Sequence, residues 1–384
     1  MHSQDEARFL VALLPLFLCG PACLKTSHAG TPPGMVIGWG ESRGATVPPG
    51  QTNDLAIAGG DIHSLAVNRA GGVIAWGYNG NGQASVPPGL TNVLAVAGGE
   101  SHSVALKKDG RVFAWGDNTY GQTNVPAGLS NVIAVAAGAL HNLALKADGQ
   151  IVAWGANDSR QLNVPVGLSN VVAIAAGYRH SLALRTDGTV FGWGDNSFGQ
   201  LNAPPGLSNV IAIAGGGNKG GSHSVALTAD KLVSAWGYYS IGESAGQTNV
   251  PPGATNVVAI AAGGAHTLAL RADGKIVGWG YNNYGQANPP AGLSNVVAIA
   301  AGGFHSLAIR ADRTMLMMQI TNNVRAISFH TFLGQTYSVE YRTNLVDGNW
   351  LPLPAGAVTG NGSDSIVTDG NTDSTVGFYR VRIQ

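Results

Sequence analysis

The chain has 384 residues, of which 21 are basic and 21 acidic, so its formal net charge is zero and nothing electrostatic draws it to nucleic acid or an anionic membrane. Charged residues make up 11% and apolar residues 45%, which excludes a disordered chain. The 56 glycines follow no Gly-X-Y period, which excludes a collagen.

The N-terminus reads as a secretory signal over residues 1–29. Phe9 to Leu18 is an apolar run preceded by Arg8 and too short to span a bilayer, and Ser27-His28-Ala29 offers small residues for cleavage. The acidic pair Asp5-Glu6 departs from a basic leader and points to a start further downstream. The expected location is secreted or at the cell surface, with Cys23, after Gly20-Pro21-Ala22, as an alternative lipidation site. Cys19 and Cys23 are the only cysteines, so cleavage after Ala29 removes all thiol and disulfide chemistry.

A repeat follows. Trp-Gly pairs recur at Trp39, Trp76, Trp115, Trp154, Trp193, Trp236 and Trp279, at spacings of 37, 39, 39, 39, 43 and 43. A second series steps alongside it at His63, His102, His141, His180, His223, His266 and His305. Two markers advancing together by about 40 residues indicate one supersecondary unit repeated, as in propellers and solenoids. The glycine-rich loop after each Trp is not a phosphate cradle, because Val-Pro-Pro-Gly rather than a helix comes next.

One unit runs from Asn131 to Ser169. The apolar run Val132 to Ala137 predicts a buried strand, and His141 to Lys146 a second. Asp148-Gly149 supplies the hairpin turn to a third strand at Gln150 to Trp154. A fourth is expected at Gln161 to Val164, ended by Pro165 as on an outer edge. Each Trp is expected to fill the wedge between neighbouring units, with its Gly allowing close passage of the chain. The histidines, one per unit around a ring, are expected to be structural, each bonding a backbone group in its own blade, with no metal and no cofactor bound.

The first copy begins at a third strand (Met35 to Trp39) and the last ends after a second (His305 to Arg310). The expected architecture is all-β: a seven-bladed propeller over 35–318, with the N-terminal strands closing the last blade. The pattern VxxWGxNxxGQ…V…V..G..H..AL..DG resembles the regulator of chromosome condensation propeller family over about Met35 to Met318. GQTNVPAGLSNVIAVAAG is similar to the propeller-type β-lactamase inhibitory proteins. The first resemblance implies a seven-bladed binding ring, sometimes a guanine-nucleotide exchange factor. The second implies a secreted inhibitor that grips an enzyme with loops on one face.

Variation concentrates in the loops before each His and after each Trp-Gly, which lie on one face. Two four-residue expansions, in Gly215 to Ser222 and Tyr238 to Gly246, fall in one blade on that face. The partner-binding candidates are Tyr178, Arg179, Phe198, Asn218, Lys219, Tyr238, Tyr239, Glu243 and Phe304. No nucleophile stands beside a base, so catalysis is not expected.

Residues 319–384 leave the repeat. Tyr337, Val339 and Tyr341 alternate, as do Tyr379, Val381 and Ile383, and with Trp350 they predict a small β-sandwich-like module. Its end resembles the Phe-Tyr-Arg-Val-Arg tails appended to secreted bacterial proteins. Asp364, Asp369 and Asp373 fit no calcium-loop spacing and read as exposed turns. The combined expectation is a monomeric protein-binding scaffold without a membrane span. The alternatives are an inhibitor of a β-lactamase or penicillin-binding enzyme and a polysaccharide-binding adhesin.

Overall fold

The computed structural model describes residues 34–51, 53–239, 246–311, 317–321, 324–330, 336–342, 351–359, 364–369 and 378–383. The leader, Glu243, Trp350 and Asp373 lie outside the described residues, as does the side chain of Tyr239. The chain divides into two compact units, Met1–Arg310 and Ala311–Gln384.

The first unit repeats an antiparallel three-stranded sheet. In one copy, Val132–Ala137 pairs with His141–Lys146, which pairs with Ile151–Gly155. The middle strand carries the core: Leu143, Ala144 and Leu145 have no exposed surface. At the Asp-Gly turn, Gly149 takes φ +81° and its N–H donates to the Lys146 carbonyl at 2.9 Å. One sheet is larger and joins the two ends of the repeat region. Its order is Val296–Ala301, His305–Ala311, Gly34–Gly40, Asp54–Gly59, His63–Asn68 and Val73–Gly77. The N-terminal strand therefore stands beside the last strand of the repeat.

The fourth strand expected at Gln161 to Val164 is not a strand. That segment makes tight turns instead: the Asn163 N–H donates to the Arg160 carbonyl at 3.0 Å, and the Leu168 N–H to the Pro165 carbonyl at 3.2 Å. Pro165 brings no N–H, and these short-range bonds occupy groups that a ladder would need.

The segment acts through Gln161 and its counterparts in the other units. The Gln122 side chain accepts from the Tyr120 N–H at 2.8 Å, which holds the loop. Its backbone carbonyl accepts from the Trp154 indole at 3.0 Å and from the Asn142 side chain at 2.8 Å, both in the next unit. Trp154 packs with Val104, Leu106 and Val112 of the preceding sheet and Val132 and Ala144 of its own. Each Trp thus fills the wedge and satisfies its polar edge at once.

The histidines require a correction. They do not bond backbone groups of their own unit. His63 Nε2 lies 3.0 Å from Ser103 Oγ, His141 from Ser181 at 3.0 Å, and His266 from Ser306 at 2.9 Å, each in the following unit. His102 reaches Asn142 Oδ1 at 2.8 Å in the same way. Ser103 already gives its only proton to the Gln83 carbonyl at 2.8 Å, so His63 must be the donor. Nε2 therefore carries the proton and Nδ1 is left buried without a hydrogen bond. Own-unit backbone was the wrong partner because the middle strand already spends its backbone groups on the sheet.

In the second unit, Met317–Thr321, Val324–His330 and Asp364–Asp369 form one sheet, and Leu351–Thr359, Thr336–Arg342 and Phe378–Ile383 another. Ile327 and Val367 from the first pack with Val339 and Leu353 from the second. The two alternating runs pair directly, Tyr341 with Tyr379 and Val339 with Val381. Asp364 and Asp369 begin and end a strand rather than standing in turns, because Ser365 to Thr368 pairs with Ala326 to Phe329.

Candidate functional site

The loops before the histidines converge on one cavity of about 370 Å³. Its wall is mostly bare backbone, for a steric reason. A Cβ at Gly60, Gly99, Gly138, Gly177, Gly263 or Gly302 would overlap the imidazole of its own unit's histidine. The residue after each of these glycines decides what lines the cavity. Asp61, Glu100 and Tyr178 bring functional groups, while Ala139, Gly264 and Gly303 leave space. Backbone bonds stitch the loops together: Asp61 N–H to the Gly99 carbonyl (3.1 Å), Glu100 N–H to Ala139 (2.9 Å) and Gly303 N–H to Gly60 (3.0 Å).

One sheet breaks the repeat. Its strands Val210–Asn218, Gly221–Thr228 and Val233–Tyr239 run beyond their counterparts, pairing Asn218 with Gly221 and Gly221 with Tyr239. Both sequence expansions thus begin in a single extended sheet, and its Lys219-Gly220 turn lies against the cavity. Lys219 Nζ reaches 3.9 Å from Glu100 Oε1. The two residues belong to sheets separated by two others along the chain.

The electrostatics follow from this crowding. Burial, with Glu100 and Glu41 nearby, pushes the Asp61 carboxyl up to about 6, against the opposing pull of Lys219. Burial and the Glu100 charge push the Tyr178 hydroxyl up to about 12, partly offset by Arg179, whose guanidinium lies 5.6 Å from the Tyr178 ring centre. Among the described residues no group of three or more potential metal ligands occurs. Among them no helix is long and apolar enough to cross a membrane.

The candidates read from the sequence divide into three sets. Tyr178, Asn218, Lys219 and Phe304 line the cavity. Phe198 and Tyr238 instead meet edge to face, ring centres 5.3 Å apart, with Tyr238 exposed. Phe304 also joins Tyr284 (5.7 Å) and Tyr281 (6.3 Å) in an aromatic cluster. Arg179 is exposed beside Tyr178, and the backbone of Tyr239 ends its strand. Asp61 and Glu100 were not among the candidates. Their signal was present, since each occupies the same slot between Gly and His that Tyr178 fills.

Four segments, 93–122, 132–161, 171–200 and 257–286, match the regulator of chromosome condensation (RCC1) repeat. No curated protein matches this sequence. Among solved structures, Prp20p from Saccharomyces cerevisiae is similar, with a TM-score of 0.60 and 20% identity over 72% of this chain and 91% of that one. Human WBSCR16 gives a TM-score of 0.56 and 21% identity, covering 72% of this chain and 98% of its own. The ectodomain of the Arabidopsis thaliana receptor kinase ACR4 gives 0.53 and 22%, covering 68% and 93%. Identities this low speak to the fold. Four segments of the chain therefore match regulator of chromosome condensation repeats, and its three-stranded sheets are consistent with a propeller of that type.

Proposed function

We propose that this chain is a secreted, non-catalytic, seven-bladed propeller that binds a protein partner through the face bearing the pre-histidine loops. The observation that carries the reading is the extended sheet. Only there does the repeat lengthen, and the lengthening brings Lys219 to the cavity and Tyr238 onto Phe198. Exposed aromatics beside charged loops suit recognition of a protein. Seven blades are supported by the histidine links, which run from His63 to Ser103 and onward until His305 meets Ser64. Prp20p, the fold neighbour, has been studied for binding to Gsp1p and histones and has been crystallised with Kap60. A protein partner for this chain is the corresponding inference. Export rests on the apolar leader at Phe9 to Leu18.

A polysaccharide partner is the second reading. It is favoured by tyrosines such as Tyr120 and Tyr284, 49% and 53% exposed and available to stack on sugar rings. The test is to capture a partner with the mature chain and map the contact by cross-linking. Replacing Tyr238 and Phe198 with Ala should weaken binding by about thirtyfold, or about 2 kcal/mol. Changes at Asp109 or Asp148, on the opposite hairpins, should have no effect. Contacts confined to those hairpins would refute the assignment, and glycan binding without a protein ligand would favour the second reading.

A further inference from the structure

The axial cavity presents a charge arrangement that the binding face alone does not require. Asp61 and Glu100, from adjacent repeats, place two carboxylates on a wall otherwise made mostly of glycine and alanine. The room for the Asp61 carboxylate comes from Gly303, where any Cβ would overlap it. One cation already faces this pair. Lys219, on the turn of the extended sheet, sits 3.9 Å from Glu100 with its side chain 82% exposed. An ion pair that long and that open to water is worth little and exchanges easily. Two carboxylates against one ammonium also leave the cavity net negative. Tyr178 and Phe304 add aromatic faces able to contact the alkyl part or the charge of a cation. The volume, about 370 Å³, is at the low end of the roughly 300–1,000 Å³ typical of ligand pockets. It suits one side chain, not a folded segment.

We propose that the axial cavity receives a single cationic side chain, a lysine or arginine presented by the protein partner, and that Lys219 is its resident stand-in. The inference rests on the protein-binding reading above and names the chemistry of that partner. An incoming ammonium or guanidinium displaces Lys219, pairs with Asp61 and Glu100, and lies beside Tyr178. The groups that face Asp61 are Glu100, Glu41 and Lys219, with Tyr178 close by. Arg179 stands over the Tyr178 ring, 5.6 Å from its centre, and is not among the residues that line the cavity. Binding of a cation is therefore stronger when Asp61 is ionised.

The test uses the full chain and three capped tripeptides, Gly-Lys-Gly, Gly-Arg-Gly and Gly-norleucine-Gly, titrated by calorimetry or NMR. Lys219→Ala should bind the lysine and arginine peptides about two- to fivefold more tightly than the parent and leave the norleucine peptide unbound. Asp61→Asn or Glu100→Gln in that background should lose at least tenfold. Affinity should rise between pH 5 and pH 7. If Asp61→Asn fails to fold, Glu100→Gln carries the same comparison. Equal binding of the lysine and norleucine peptides would overturn the proposal, as would weaker binding by Lys219→Ala. A captured partner that ignores Asp61→Asn and Glu100→Gln but is lost with the Tyr238 and Phe198 changes would refute the cavity while sparing the binding face.

Discussion

His305 Nε2 lies 2.7 Å from Ser64 Oγ, although 241 residues of chain separate them. The bond repeats the His-to-next-unit link found between His141 and Ser181, so the last histidine treats the first complete unit as its successor. Ser64 in turn donates to the Gly44 carbonyl at 2.8 Å, tying the N-terminal segment into the same junction. Loop-closure entropy opposes such a contact, and the strand shared between the chain ends offsets it.

Ser64→Ala is therefore expected to destabilise the fold by about 1–3 kcal/mol, since it leaves a buried imidazole donor unpaired. Ser181→Ala, at an interior junction of like geometry, should cost a similar amount. Urea denaturation of both variants checks this. A Ser64→Ala protein with unchanged midpoint would mean that the seam is open in solution.

Acid should unfold this protein steeply. Burial holds His63, His141, His223 and His266 down at about 3, and His102, His180 and His305 at about 4, from an ordinary 6.5. Below pH 6.5 the unfolded chain takes up these protons and the native one does not, so stability falls as pH falls toward 4. Asp54 and Asp61, raised to about 6, act in the opposite sense, because the native state protonates them first. Seven groups outweigh two. The expected slope near pH 5 is several kcal/mol per pH unit. Melting temperatures at pH 7, 6 and 5 measure it, and a flat profile would show that the imidazoles titrate in the native state.

Two glycines with different surroundings separate packing from conformation. A Cβ at Gly99 overlaps the His102 ring, whereas Gly89, at φ +76°, has nothing within 4 Å of that position. Gly99→Ala should cost about 3 kcal/mol from overpacking, and Gly89→Ala about 1 kcal/mol from backbone strain. Equal losses in thermal melts would remove the steric explanation for the glycine-lined cavity.

Trp154→Phe isolates the polar part of the wedge. It keeps most of the apolar contact but deletes one of the two donors to the Gln122 carbonyl, which Asn142 still satisfies, at an expected cost of about 0.5–1.5 kcal/mol. Trp154→Ala should lose about 3–5 kcal/mol. A Phe variant as stable as the parent would assign the residue to packing alone.

The local signals in the sequence carried a good part of the structure. Val132 to Ala137, His141 to Lys146 and the Asp148-Gly149 turn were legible because alternation, burial and positive φ are properties of a few adjacent residues. The spacing of Trp154 from Trp115 revealed the unit, and the truncated first and last copies pointed to the shared sheet. Gln161 misled, because the short polar-apolar alternation Gln161-Leu162-Asn163-Val164 before proline looks the same as a strand or as consecutive turns. Only the positions of its hydrogen-bond partners separate the two. The acceptor of each histidine and the meeting of Asp61, Glu100 and Lys219 were decided by tertiary structure. Asp61, Glu100 and Lys219 lie 39 to 158 positions apart, and His305 lies 241 from Ser64. Their approach depends on how sheets wedge against one another around the cavity, a curvature set by the sum of the packed Trp and Leu side chains and written at no single position.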